Sequence, residues 1–140
     1  MTTLRTLRDD ERDWANARYR ELRFSPSPPG TTGVVAELGG ARVGLGRLLA
    51  LAPDVLELGG IWTAEAARGR GVARQVVEAL LAAWPRRGQL WCIPFEHLVG
   101  FYQSCGFRPA AQPWPAAIAA KVDGCGAVHA AAVVVLARDP

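Results

Sequence analysis

The sequence has 140 residues, of which 50% are hydrophobic and 21% are charged, and its formal net charge is +3. This length and composition are typical of one globular domain over residues 1–140 and exclude a disordered or fibrous chain. The mild positive charge suits an anionic small molecule or a nucleic acid, but the scattered arginines form no basic tail that would bind a polyanion.

The cysteines and apolar runs indicate the compartment. Cys92, Cys105 and Cys125 lack CxxC spacing, which argues against a disulfide framework and against a metal site. Cys105 has no neighbouring base and is interpreted as structural rather than nucleophilic. No charged-then-apolar leader opens the chain, and the apolar run at residues 130–137 is too short to span a bilayer. We therefore expect a cytoplasmic protein without a membrane partner.

The first half of the chain predicts a strand, a helix and a hairpin. A strand candidate, "TLRTLR", is followed by "DDERDWANARYRELRF", which reads as a helix capped by Asp9 or Asp10. The prolines of "SPSPPG" then predict a loop. Two alternating arms, "TTGVVAEL" and "ARVGLGRLLAL", predict a hairpin that turns at Gly39-Gly40.

The middle of the chain predicts a strand followed by a helix. The strand is "DVLELGGIWT", with a possible bulge at Gly59-Gly60. Apolar residues then recur every fourth position from Val72 to Trp84, which predicts a helix over residues 71–84 that Pro85 ends.

The last third predicts two strands around a short helix. The buried strand is "GQLWCIPF", and the helix "EHLVGFYQSCGF" stops at Gly106. A final strand is predicted over residues 127–137, with His129 as a core histidine. The order of elements predicts a mixed α/β domain with one layer of sheet and helices packed on it.

The segment "RGRG" lies where the middle strand gives way to its helix. The first N–H groups of a helix have no internal partner, and the helix dipole adds partial positive charge there. Gly69 and Gly71 allow a phosphate to approach this backbone, and the arginines Arg68, Arg70 and Arg74 add charge. The segment predicts a diphosphate site that is neither a P-loop nor a dinucleotide fingerprint. An ordinary, solvated helix entry remains the alternative.

Two motifs resemble one known family. "RGRGVA" matches the pattern Q/R-x-x-G-x-G/A, and "FYQSCGF" is similar to FY-x-x-x-GF some thirty residues later. Both are typical of the GNAT superfamily of N-acetyltransferases, which the chain resembles over residues 34–109. The resemblance implies a mostly antiparallel sheet with two splayed parallel strands and flanking helices. It also implies transfer of acetyl from acetyl-CoA to a primary amine by direct attack. Separately from the resemblance, we expect a monomer or homodimer without a nucleic-acid partner.

The resemblance places acetyl-CoA between the strands "VLELGGIWT" and "QLWCIPF". The pantetheine arm is expected along the backbone of Ile61, Trp62 and Thr63, where an N–H near Ile61 polarises the thioester. The side chains of Ile61 and Trp62 can serve core packing at the same time. Many members carry an asparagine where this chain has Phe95, so the cofactor contact of Phe95 departs from the pattern. The pyrophosphate is expected on the turn made of Arg68, Gly69, Arg70, Gly71, Val72, Ala73 and Arg74.

The resemblance also implies an acid and a base. Tyr102 matches the family tyrosine that protonates the departing thiolate, although it is also suited to core packing. Glu57 lies where some members carry a basic glutamate that deprotonates the amine. It is a lone charge in an apolar run, which indicates a paired or cleft position, while a solvent-facing position is the alternative. Glu65, Glu96 and His97 are further candidates for the base.

Two other classes of function stay open. The first is a module of the same fold that binds acyl-CoA without turnover. The second is a small RNA-binding domain, which the dispersed tryptophans do not favour. No motif in the sequence identifies the acceptor amine. Arg20 or Arg23 could bind the carboxylate of an amino-acid acceptor, or both could simply belong to a solvated helix face. A protein N-terminus, a polyamine or an antibiotic amine are equally open as acceptors.

Overall fold

A computed structural model describes residues 1–128 and 132–140. Within these residues the strands are β1 (Thr2–Thr6), β2 (Thr32–Leu38), β3 (Ala41–Ala52), β4 (Val55–Thr63), β5 (Leu90–Cys92), β6 (Arg108–Pro109) and β7 (Leu136–Arg138). The α-helices are α1 (Arg12–Glu21), α2 (Val72–Ala83), α3 (Val99–Ser104) and α4 (Ala116–Val128). The strands form a mostly antiparallel sheet in the order β1-β2-β3-β4-β5-β7-β6, with β4 and β5 parallel. This confirms the predicted fold class.

The described residues group into two compact units, and both β3 and β4 contribute to each. The first unit contains Met1–Leu49 and Gly60–Trp84. The second contains Ala50–Gly59 and Pro85–Pro140.

The sheet of the first unit follows the alternation of its sequence. β1 pairs antiparallel with β2, and β2 pairs antiparallel with β3. Leu38 lies opposite Ala41 across the predicted turn, so the hairpin is confirmed. The register shifts at Ala36/Glu37, a bulge that the sequence did not predict.

Helix α2 lies close against β3. The apolar residues that recur at every fourth position, together with their neighbour Val77, lie in the core. Val72, Val76, Val77 and Leu80 are each at most 2% exposed. A Cβ at Gly44 would lie 2.6 Å from Val72 Cγ1, and one at Gly46 would lie 2.6 Å from Val76 Cγ1. Any side chain at either glycine would push the helix outward, so these two residues determine how closely α2 approaches the sheet.

Tyr19 and Arg47 hold the loop that follows α1. Tyr19 is 1% exposed, and its ring lies against Gly60 at the irregular part of β4. The Arg47 guanidinium stacks on that ring at 4.2 Å and donates from Nη1 to Ser25 O (2.9 Å) and Ser27 Oγ (2.8 Å). The proline-rich loop is therefore fixed to the sheet by one buried cation. An arginine in the apolar middle of β3 was the sequence signal for this contact.

Glu11 is the centre of an ion-pair network at the start of α1. Its carboxylate, in a residue 3% exposed, accepts from Arg5 Nη1 at 2.7 Å and Nη2 at 2.9 Å, and from the Arg8 backbone N–H at 3.0 Å. Hydrogen bonds from Arg5 lower the pKa of Glu11 to about 2. The predicted cap at Asp9 or Asp10 was wrong: both lie in a 3-10 turn that precedes the helix, and Glu11 satisfies the backbone instead.

The Glu11 network makes stability depend on pH. Glu11 has an ordinary pKa of 4.5 that falls to about 2 in the folded chain. Its contribution is therefore complete above about pH 4.5 and is lost as the pH falls toward 2. We expect Glu11→Gln to lower the free energy of unfolding at pH 7 by about 3 kcal/mol, and by progressively less below pH 4.5. Urea denaturation at a series of pH values measures both.

The matched control for Glu11→Gln is Glu21→Gln. Glu21 pairs with Arg18 at 3.0 Å, but its side chain is 63% exposed, and pairs of this kind contribute little to stability. An equal loss of stability in both variants at pH 7 would show that burial of the Glu11 network is unimportant.

The second unit contains the parallel pair and the end of the sheet. Leu56 pairs with Leu90 and Glu57 with Trp91, while β7 lies antiparallel between β5 and β6. The three residues of β5 are buried, as predicted for this strand. A core forms around Val55, Trp91, Ile118, Val135 and Ala137.

Helix α4 is the main departure from the sequence prediction. The sequence pattern predicted a strand over residues 127–137. In the structure α4 continues to Val128, and β7 begins only at Leu136. The prediction for His129 lies outside the described residues. Pro115 begins the helix, because its carbonyl accepts from the N–H groups of Ile118 and Ala119, both at 3.0 Å. The Ala-rich sequence lacks a polar-apolar period, which is why periodicity did not reveal this helix.

Candidate active site

The "RGRG" segment forms an open turn at the start of α2. Gly69 and Gly71 adopt φ of +79° and +77°, a left-handed conformation that favours glycine, and a Cβ at either would contact nothing within 4 Å. The Gln75 N–H donates to Gly71 O at 3.1 Å as the helix begins. The helix N–H groups before Gln75 have no partner within the helix. Backbone donors and open space are therefore combined at one helix terminus.

The side chains around this turn add positive charge. Arg68, Arg70 and Arg74 are exposed, as are the two glycines, while Val72 is buried and Ala73 is partly buried. Val72 packs the start of the helix against the sheet, while the three arginines of the turn face solvent. This distribution is the one expected for a turn that binds a diphosphate through its backbone.

The end of β4 leads into the turn. Ile61, Trp62 and Thr63 are partly buried. The Ile61 side chain lies beside the Gly46 position, and Trp62 meets the Trp14 ring edge-on at 5.6 Å. The side chains of this strand end thus have packing roles, as the sequence allowed, and any cofactor contact here would use the backbone.

Glu57 is buried in the second unit and paired. The residue is 5% exposed, and its Oε1 accepts a hydrogen bond from Nζ of Lys121 on α4. The Lys121 side chain is 25% exposed. A Cβ at Gly59 would lie 3.7 Å from Glu57 Oε2, so this side of the carboxylate is lined by a residue without a side chain. The solvent-facing alternative for Glu57 is therefore wrong.

Tyr102 is held on α3 by aromatic neighbours. It is 6% exposed and meets Phe101 at 5.0 Å and Phe107 at 6.2 Å, both edge-on. Burial raises the pKa of Tyr102 above its ordinary value of 10, and the neighbouring acidic groups Cys92, Cys105 and Glu57 raise it further. The phenol therefore keeps its proton at neutral pH and is available as a donor.

The buried thiols near Glu57 are not activated. Burial raises the pKa of the Cys92 thiol well above its ordinary value, and burial also raises the pKa of Cys125. A thiol in this state is a poor nucleophile at neutral pH. The charge of Lys121 lowers both pKa values, and that of Glu57 raises them. The thiols therefore lie within electrostatic reach of the Glu57–Lys121 pair.

The remaining sequence candidates lie at the surface. Glu65, Glu96 and His97 are exposed, and Arg20 and Arg23 are exposed as well. Phe95 is partly buried and stacks on His97 with ring centroids 6.2 Å apart. Its backbone forms an isolated bridge with Val133.

Sequence reasoning missed Lys121, the most informative side chain of the second unit. Lys121 follows Glu57 by 64 residues and lies on a helix that was not predicted. The signal available in the sequence was a lone cation in the apolar run "AAIAAKV".

The described residues hold neither a metal-binding cluster nor a membrane-spanning helix. Across residues 1–128 and 132–140, no group of three or more His, Cys, Asp or Glu side chains is placed to hold a metal ion. In the same part of the chain no helix has the length and apolar character needed to cross a membrane.

Comparison with known proteins identifies a family. The family model described as "Acetyltransferase (GNAT) family" matches residues 1–107. The comparison with curated proteins gives no match.

Several solved structures share the fold. Escherichia coli ElaA is similar at 17% identity and a TM-score of 0.70, with 99% of this chain and 100% of that chain covered. The ribosomal-protein-S18-alanine N-acetyltransferase from Escherichia coli is similar at 14% identity and a TM-score of 0.70, over 99% of this chain and 93% of that one. At these identities the likeness establishes the fold.

A third solved structure contains ligands. It is N-acetylglutamate synthase from Neisseria gonorrhoeae complexed with coenzyme A and N-acetyl-glutamate. The identity is 14% and the TM-score 0.72, with 99% of this chain and 35% of that chain covered. The similarity to that longer protein is thus confined to about a third of its length.

Proposed function

The chain belongs to the GNAT acetyltransferase family, and on this premise we propose that it transfers an acetyl group from acetyl-CoA to a primary amine. The transfer is a direct attack within a ternary complex. The observation that carries the proposal is the open glycine turn at the start of α2. The structure of N-acetylglutamate synthase, which shares the fold, contains bound coenzyme A, and this supports CoA as the ligand proposed here.

The residues of the turn fit the proposed ligand. A pyrophosphate needs several N–H donors that converge on one point, and the first turn of α2 supplies them. The left-handed glycines keep side chains away from the approach, and the exposed Arg68, Arg70 and Arg74 add charge without filling it. When bound, acetyl-CoA supplies an acetyl thioester whose carbonyl carbon accepts the amine and whose sulfur departs. The proposed pantetheine contacts are the backbone groups of residues 61–63.

Tyr102 is the proposed acid. A departing thiolate is stabilised when a nearby group donates a proton to it. The raised pKa of Tyr102 keeps the phenol in its protonated form, and its aromatic neighbours Phe101 and Phe107 restrict the ring. A restricted donor loses little conformational entropy when it reacts.

Glu57 is the proposed base. An ammonium has no lone pair, so the acceptor amine must lose a proton before it attacks. Glu57 is a buried carboxylate that already accepts a hydrogen bond from an ammonium, that of Lys121. The same contact is what an incoming acceptor ammonium would need to make.

The contact between Lys121 and Glu57 also favours a second candidate function. If Lys121 holds Glu57 permanently, no acceptor reaches the carboxylate, and the protein is a module that binds acyl-CoA without turnover. Both candidate functions predict that the protein binds acyl-CoA, but only the acetyltransferase predicts turnover.

The cytoplasm is the proposed compartment. Cys92, Cys105 and Cys125 are free thiols, which persist in a reducing environment. Acetyl-CoA and an amine are the proposed partners of a monomer or homodimer.

Calorimetric titration with acetyl-CoA and with CoA tests the proposal, followed by a panel of primary amines. The panel contains amino acids, polyamines, simple alkylamines and peptides with a free N-terminus, and release of the CoA thiol is the readout. We expect both nucleotides to bind at one site and at least one amine to accelerate thiol release. Binding without acceleration by any amine would support the non-catalytic module, and failure to bind would contradict both candidates.

A further inference from the structure

Lys121 is unusual in the composition of the chain. The sequence contains 16 basic residues, and Lys121 is its only lysine. Elsewhere the ion pairs use arginine, as in Arg5 with Glu11 and Arg108 with Asp139. Arginine binds a carboxylate through two donors and stays protonated, so it serves a structural pair at least as well as lysine. Lysine differs because loss of one proton makes it a nucleophile.

The single lysine lies on the carboxylate that is the proposed base. Its Nζ donates to Glu57 Oε1, and the Glu57 side chain is 6% exposed while that of Lys121 is 25% exposed. The pair is thus buried on the acid side and partly open on the amine side. The Tyr102 phenol is close enough for the Glu57 charge to influence it. A primary amine and a base are therefore in direct contact within the second unit, and the proposed proton donor lies within electrostatic range of that base.

We propose that Lys121 is itself an acetyl acceptor, so that the protein acetylates its own lysine. This inference rests on the proposed acetyl transfer and specifies one amine that takes part in it. Glu57 removes a proton from the Lys121 ammonium, and the freed Nζ lone pair forms an N–C bond with the acetyl carbonyl carbon. The C–S bond breaks, and the sulfur takes the proton of Tyr102. The second proton of the acylated nitrogen passes to the Tyr102 phenolate, and the proton held by Glu57 passes to solvent, so both residues return to their starting states. The products are N-acetyl-Lys121, CoA with a free thiol, and one proton released to solvent.

Acetylation changes the surroundings of Glu57. The product amide is neutral and has one N–H in place of the three donors of an ammonium. Glu57 then keeps at most one hydrogen bond from this side chain and loses its buried counter-charge, which costs free energy unless another cation replaces it. The modified protein is therefore better suited to receive an external ammonium at Glu57 than the unmodified one.

The test is incubation of the full chain with acetyl-CoA, followed by intact mass spectrometry and peptide mapping. We expect one acetyl group per chain, on Lys121, with a first-order rate constant that does not change when the protein is diluted. Independence from dilution identifies transfer within one molecule. Glu57→Gln is expected to slow the reaction at least about a hundredfold. If this variant does not fold, as judged by circular dichroism, Tyr102→Phe takes its place in the comparison.

A matched control separates enzymatic from adventitious acetylation. The double variant Lys121→Arg with Asp123→Lys keeps a cation at Glu57 and moves the single lysine to an exposed position of the same helix. We expect this lysine to be acetylated at least about tenfold more slowly than Lys121. Equal rates would identify simple chemical acetylation and overturn the inference.

The remaining outcomes distinguish this inference from the proposed function. If acetyl-CoA binds and small amines are acetylated while Lys121 stays unmodified, the inference is wrong and the proposed function stands. If acetyl-CoA does not bind, the proposed function fails and the inference fails with it. Calorimetric titration of the unmodified protein with acetyl-CoA, together with its amine panel, shows which of these two outcomes applies.

Discussion

A Gly71→Glu variant is expected to bind CoA at least about 100-fold more weakly than the unmodified protein, a loss of about 2.7 kcal/mol. Two effects combine. The added carboxylate lies at the N–H groups of the first turn of α2, where it occupies donors and repels a pyrophosphate. The left-handed φ of +77° at Gly71 also strains any residue with a Cβ, which distorts the turn. Calorimetric titration of the variant with CoA measures the change.

Gly88→Glu is the matched control for this prediction. Gly88 has φ of +83°, and a Cβ there would contact nothing within 4 Å, as at Gly71. The control therefore introduces the same charge and the same backbone strain, but at a glycine that follows the C-terminal end of α2 in the sequence. We expect its affinity for CoA to stay within about twofold of the unmodified protein. An equal loss in both variants would mean that strain or net charge is responsible, and the pyrophosphate site would be placed wrongly.

The sequence was sufficient to predict the elements whose signals are local. The hairpin is defined by two glycines between alternating arms, and α2 by an apolar residue at every fourth position. Gly106, with φ of +93°, ends the helical segment that carries Tyr102, as predicted. In each case a few adjacent residues determine the backbone, so no tertiary contact had to be known.

Features that depend on contacts between residues distant in the sequence could not be predicted. The pair between Glu57 and Lys121 joins residues 64 positions apart, and nothing near either residue indicates its partner. The burial of Glu57 was expected only as one of two alternatives, because a lone acid in a strand is compatible with either face. The contact of Tyr19 with Gly60 is of the same kind, since the shape of β4 at that point depends on a ring from α1.

The catalytic prediction with the largest expected effect concerns Tyr102. We expect Tyr102→Phe to lower kcat by about 100-fold or more while the affinity for CoA changes little. The phenylalanine ring retains the edge-on packing with Phe101 and Phe107, so the change removes one hydroxyl and its proton. Steady-state release of the CoA thiol with the best amine of the panel, together with calorimetry, separates turnover from binding. Burial raises the pKa of Tyr102 above 10. The ratio of kcat for the unmodified protein to kcat for Tyr102→Phe should therefore stay constant up to about pH 10.

Tyr19→Phe provides the comparison that this prediction needs. Tyr19 is also buried, at 1% exposed, its pKa is likewise raised by burial, and its hydroxyl has no hydrogen-bond partner among the described residues. Removing that hydroxyl deletes no hydrogen bond, so stability and turnover should be close to those of the unmodified protein. If the two variants lose turnover equally, the loss reflects a general response to an altered buried tyrosine. If neither loses it, solvent protonates the thiolate, and Tyr102 is a packing residue of α3 whose place in the family motif has a structural cause.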